Sequence, residues 1–194
     1  MLDPVSLQAQ RRQAVRTVIA VLSAVALAPL SSGSGPSALE GDLRIVGSRA
    51  MTPTVDDWMA LFQRRYPAVR IHAALIGDGV AAGALADRRA DIAPLSRPLA
   101  RQERALIGDV PQPVGIPVGT GRSSGGQLRR WVYLYVARQA DGRGQPVALA
   151  FVRTALSPAG QARIARGFGA LSARQREASL SQLARLGRNA AEPK

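Results

Sequence analysis

Two short stretches of this chain end in the same way. RIVGSRAMTP at 44–53 and DIAPLSRP at 91–98 each run from an apolar segment into Ser-Arg and then, within a few residues, a proline. Such a turn carries a hydroxyl, a guanidinium and the free N–H groups of a starting helix, at the positive end of its dipole. Together these suit an oxyanion, because hydroxyls and N–H groups donate and an arginine fork grips two oxygens at once. A third turn, at 77–80, reads Gly-Asp-Gly-Val. Each turn is weak evidence alone, since Ser, Thr and Asp are ordinary helix caps. Local capping is the reading adopted for Thr52 and Asp78, while for Ser96-Arg97 capping and ligand binding stand level. The three turns count for more together than singly.

Other chemistry finds no residues. The chain has no P-loop, no G-x-S-x-G elbow and no H-E-x-x-H helix. Its one histidine, His72, sits in the alternation R-I-H-A and reads as a side chain on a sheet face without a triad partner. Asp56-Asp57 read as first-turn charges that favour the helix dipole. With no cysteine and a single histidine, disulfides, thiolate metal sites and His-cluster metal sites are excluded. No catalytic residue, metal or cofactor is expected, and the chain reads as a non-enzyme.

The elements that must position these turns alternate. LRIVGS is a short strand, and Thr52-Pro53 supplies a helix cap and a first-turn proline. Val55, Trp58, Met59 and Phe62 follow at i, i+3, i+4 and i+7, one apolar stripe of a helix. VRIHAALI is a second strand, VAAGALADRR a second helix, DIAPLS a third strand, and Pro98 starts a third helix. Strands separated by helices imply crossover connections and a mostly parallel α/β sheet. Both Ser-Arg turns then fall at the carboxyl ends of parallel strands, where open α/β sheets bind ligands.

Length and composition bound the rest. The 194 residues suit one domain, and 46% hydrophobic content supports a packed core although aromatics make up only 4%. The net charge of +13 is almost wholly arginine, since Lys194 is the one lysine. Exclusive arginine usage more often reflects a GC-rich genome than arginine chemistry. The arginines are scattered (Arg64-Arg65, Arg88-Arg89, Arg129-Arg130 and those between 163 and 188) with no stripe of stacking aromatics, which argues against nucleic acid. At the N-terminus, Arg11, Arg12 and Arg16 precede the uncharged run TVIAVLSAVALAPL, with Ala26-Leu27-Ala28 as a small-x-small cut. Residues 1–40 therefore read as a signal peptide of about 28 residues plus a spacer, and the protein as exported to the periplasm. The alternative is an uncleaved N-terminal anchor, the chain's one membrane contact.

The blocks 47–53 (GS-x-x-M-x-P), 67–71, 77–80 (G-x-G-V) and 90–99 (A-D-I-A-x-x-S-R-P-L), with Glu103 nearby, resemble in order and spacing the phosphate-binding protein of ABC phosphate transporters. WVYLYV at 131–136 is similar to that family's returning strand. Residues 148–171, with Ser157-Pro158 and Gly160-Gln161, are similar to its late helix pair. The resemblance implies one lobe of a two-lobed periplasmic binding protein, phosphate or another oxyanion as ligand, and an ABC permease as partner. It also implies a phosphate-contacting set at Ser48, Ala50, Met51, Asp78, Gly79, Ser96 and Arg97.

The chain departs from that pattern in ways with chemical consequences. Residues 104–130 are too few for a second lobe, so they read as a shortened connection in its place, with GTGRSSGG at 119–126 a flexible linker. Ala50 lacks the first turn's hydroxyl, Asp78 replaces the second turn's serine, and Arg97 stands where the best-known members carry aspartate. Weak oxyanion binding by a lobe spanning 41–175 is the expectation, followed by a basic helical or mobile tail at 176–194. The alternative is an interaction module, or a degenerate remnant of a phosphate-binding protein.

Overall fold

The computed structural model describes residues 39–108, 111–122, 129–164 and 167–188, all within the unit Ala38–Lys194. The signal-peptide and anchor readings fall on residues 1–38, outside the described part. Five strands form one sheet: β1 (Gly41–Val46), β2 (Val69–Ala74), β3 (Ile92–Leu95), β4 (Val114–Arg122) and β5 (Arg129–Val136), in the order β2-β1-β3-β5-β4. β1 pairs parallel with β2 and β3, whereas β5 runs antiparallel to both β3 and β4. Four of the five strands thus point the same way, and β5 alone returns.

Among the described residues, six α-helices cover the two faces: α1 (Thr52–Arg65), α2 (Asp78–Ala86), α3 (Arg101–Ile107), α4 (Pro146–Leu156), α5 (Pro158–Ile164) and α6 (Ala173–Arg188). Alternation along the strands divides the core between them. Leu43, Ile45, Ile92, Ile116, Val118, Val132, Leu134 and Val136 face one cluster, closed by Val55, Trp58 and Phe62 of α1 and by Phe151, Val152, Ile164 and Leu183 of the later helices. Ala93, Leu95 and Tyr135 face the other, where Ala81, Ala82 and Leu85 of α2 meet Leu99 and Ile107. All four residues of β3 are buried, as a strand covered on both faces requires. Small alanines let α2 lie close to the sheet.

Two joints lock the later helices. The Trp58 indole N–H donates to the Gly160 carbonyl at 2.9 Å. A Cβ on Gly160 would lie 2.2 Å from the Thr154 carbonyl oxygen, so only glycine lets α5 turn this tightly on α4. Ser157 accepts the Gly160 N–H at 3.1 Å and so caps the start of α5. Buried Gln161 donates to the carbonyls of Val118 and Ala155, both at 3.0 Å, and accepts the Leu171 N–H at 2.9 Å. This one amide ties β4, α4 and the chain before α6 together.

Several expectations are corrected. Residues 119–122, read as linker, are the end of β4, paired with β5; residues 123–128 lie outside the described part. The third helix starts at Arg101 rather than Pro98. Of the two readings of the tail, helical or mobile, residues 176–188 take the helical one within α6, which buries Ser179, Leu183 and Leu186. Asp56 and Asp57 lie beyond the first turn of α1, and Asp57 pairs with Arg163 of α5 at 3.3 Å.

Candidate functional site

The three turns do meet at the carboxyl edge of β1, β2 and β3. The Gly47 N–H donates to Ala74 O at 3.2 Å, Ser48 N–H to Pro94 O at 2.8 Å, and Gly77 N–H to Gly47 O at 2.9 Å. A Cβ on Gly47 would fall 2.3 Å from Pro94 O and 2.8 Å from its Cδ. Glycine is what lets the first turn lie on the end of β3. Gly77 has φ of 151°, a backbone region that favours glycine, and it releases the chain into α2.

The predicted residues divide by environment. Ser48 is buried, and its hydroxyl does not cap the short 3-10 turn Arg49–Met51 that follows. Ala50 is exposed, while Met51 is fully buried and belongs to the core. Met51 can therefore reach no ligand through its side chain. Gly79 is exposed with nothing within 4 Å of its open side. Thr52 does not cap α1, since its hydroxyl donates to Arg49 O at 2.8 Å and the cap position is Met51.

Asp78 corrects its reading most. Gly77 holds the cap position of α2, and Asp78 in the first turn reaches across to β3's end. Its Oδ2 accepts the Ser96 hydroxyl at 3.3 Å and lies 3.6 Å from Arg97 Nε. Its Oδ1 is buried with no hydrogen-bond partner among the described residues, a costly state for a carboxylate oxygen.

Arg97 is already engaged. Its Nη1 and Nη2 donate to the two Glu103 carboxylate oxygens at 2.7 and 2.6 Å, and Nη1 also reaches Pro98 O at 3.0 Å. Glu103 accepts the Ala100 N–H at 2.7 Å as well. The bond from Arg97, then the Ala100 N–H, hold the Glu103 carboxyl below its usual range against a partial desolvation penalty. The same pair raises Arg97. Arg97 is thus shared between two carboxylates, Asp78 and Glu103, so this corner is not a simple positive socket.

Beside the first turn, a cavity of about 380 Å³ opens between Ala50, Pro53, Thr54 and Asp57 on one side and Arg163 and Phe168 on the other. Arg163 and Asp57 were not among the expected site residues. No local signal could have joined them, since 106 residues separate the pair. Among the described residues, no cluster of His, Cys, Asp and Glu is arranged to hold a metal ion, and no helix is long and apolar enough to cross a membrane.

No family model matches the sequence, and no curated protein matches it. Solved structures do. A possible phosphate binding protein from Planctomyces limnophilus superposes with a TM-score of 0.66 at 12% identity, over 76% of this chain and 99% of the solved one. A proposed phosphate ABC transporter substrate-binding protein with bound phosphate, from Clostridium perfringens, gives a TM-score of 0.56 at 10% identity, over 68% and 100%. The chain has the fold of phosphate-binding proteins. The match runs through essentially the whole of both solved chains, so what this phosphate-binding-protein fold comprises here is one five-stranded lobe.

Proposed function

We propose that this lobe binds phosphate or a related protonated oxyanion, weakly, at the edge formed by Ser48, Gly79, Ser96 and Arg97, as a solute-binding protein for ABC-type uptake. One observation carries the reading: the unpartnered, buried Oδ1 of Asp78 at the start of α2. A fully deprotonated anion would be repelled there, but an oxyanion that keeps a proton can donate it to Oδ1. The Clostridium perfringens chain, matched over its whole length, carries phosphate in its solved structure, which supports one lobe of this fold as sufficient to hold the ion. With the ligand half open to water and Arg97 shared with Glu103, affinity near millimolar is expected. Export follows from the N-terminal residues, and a permease partner from the transport role.

Calorimetric titration with phosphate and with sulfate, which carries no proton at neutral pH, tests the proposal. Phosphate should bind and sulfate should not, and Asp78→Asn should narrow the difference. Equal binding of both ions would reject the role of Asp78.

A second reading has its own observation. Ile76 and Val80, 56% and 46% exposed, flank Asp78 on this edge. An apolar rim at an open edge fits a protein partner, the interaction-module alternative. Sedimentation of the lobe with and without phosphate separates the two, because self-association unaffected by phosphate favours the second.

A further inference from the structure

A second groove, of about 510 Å³, lies between the C-terminal half of α1 and α4. Arg64 and Arg65 stand on one wall and Arg153 on the other, with Leu61 and Ala150 between them and Tyr66 at the end. Its volume falls within the range of small-molecule sites, about 300–1,000 Å³. α1 has 14 residues and so is about 20 Å long, which sets this groove far from the turn where α1 begins.

Among the described residues, no carboxylate lines the groove. Six other described arginines have a carboxylate partner: Arg44 with Asp91, Arg70 with Asp42, Arg89 with Asp87, Arg97 with Glu103, Arg143 with Asp141 and Arg163 with Asp57. Among the described residues, none of Arg64, Arg65 and Arg153 has an ion pair of this kind. Arg65 Nε donates to the Tyr66 hydroxyl at 3.2 Å, and its guanidinium lies 5.7 Å from the Tyr66 ring centre. That bond uses a lone pair of the phenol and leaves its O–H free to donate. Basic residues in the last turns of α1 and α4 favour the helix dipoles. That role explains each arginine singly, but not why two helices turn them toward one acid-free cavity.

The groove is therefore rich in exposed positive donors, without a carboxylate among the described residues, and partly apolar. A single oxyanion would satisfy one guanidinium and leave most of the space empty. We propose that this groove binds a small organic diphosphate, its two phosphoryl groups held by Arg64 and Arg153 across the walls and its apolar body resting on Leu61 and Ala150. Guanidinium forks match phosphoryl oxygens two at a time, and they stay charged at every working pH. The inference does not rest on the function proposed for the sheet edge.

Calorimetry on the full chain tests it, with ADP, inorganic pyrophosphate, orthophosphate and citrate as probes. ADP and pyrophosphate should bind saturably, at least about tenfold more tightly than orthophosphate, and added salt should weaken them. Arg64→Gln combined with Arg153→Gln should lower that affinity about tenfold or more, while Asp78→Asn should leave it unchanged. A control pair of exposed arginines on α6, Arg174→Gln with Arg185→Gln, should have no effect, and circular dichroism should show every variant folded. The proposal is overturned by citrate binding as tightly as ADP, by equal losses in both arginine pairs, or by no saturable binding up to about 5 mM. Loss of phosphate binding at the edge, with ADP binding intact, would overturn only the function proposed there.

Discussion

Arg97 and Glu103 meet fork to fork, six residues apart, with two parallel hydrogen bonds of 2.7 and 2.6 Å. The residue expected to attract an anion is thus held by an internal anion. Glu103→Gln would keep an acceptor for the Ala100 N–H, remove one negative charge and release part of the guanidinium. Phosphate affinity should rise about three- to tenfold, with stability lower by about 1 kcal/mol. Titration and urea unfolding of the variant check both. Weaker phosphate binding would remove Arg97 from the site.

The same pair sets an acid limit. Because the Glu103 carboxyl is depressed in the folded state, chiefly by Arg97, its contribution is complete above the ordinary value of 4.5 and fades as pH falls below it. Asp42 is lowered to about 2 by Arg70 and then His72, but it lies in the open and adds little over its window of 3.8 to about 2. Urea midpoints should hold from neutral pH down to 4.5 and then drop. Glu103→Gln should flatten that drop, and Asp42→Asn should barely change it.

Gly47→Ala places a methyl 2.3 Å from Pro94 O, where backbone must move. We expect a cost of about 1–3 kcal/mol. Phosphate binding should fall too, since the first turn is hung on β3 at this point. Chemical denaturation alongside titration reads both effects, and an unchanged midpoint would contradict the close approach.

Gln161→Leu keeps the volume but strips bonds from Val118, Ala155 and Leu171. Each buried group left unmatched costs about 1–3 kcal/mol. A loss of about 3 kcal/mol or more in thermal unfolding is expected, without any change in ligand preference.

The first three strands and the turns after them were legible because each is local: an apolar run, a turn residue, an apolar stripe at helical spacing. β4 was not. VGIPVGTGR carries three glycines and a proline, the composition of a linker. Pro117 is tolerated because β4 is the edge of the sheet, where a missing N–H breaks no ladder. Gly115 and Gly119 make room for Tyr135 and Ile164, whose atoms would lie 2.7 and 2.4 Å from a Cβ. Those glycines answer partners that the local sequence does not reveal. Asp78 was hidden in the same way, since its cap-like position gives no sign that Ser96 and Arg97 arrive from 18 and 19 residues downstream.

The strand order has a consequence for the growing chain. β4 leaves the ribosome before β5, yet β5 is the strand that lies between it and β3. Until β5 is made, the lobe consists of a three-stranded sheet with Ile92–Leu95 along an open edge and a fourth strand with nothing to join. Open apolar strand edges recruit other chains. Misassembly during synthesis should therefore concentrate in nascent chains that end between residues 114 and 136, and refolding should be limited by the insertion of β5.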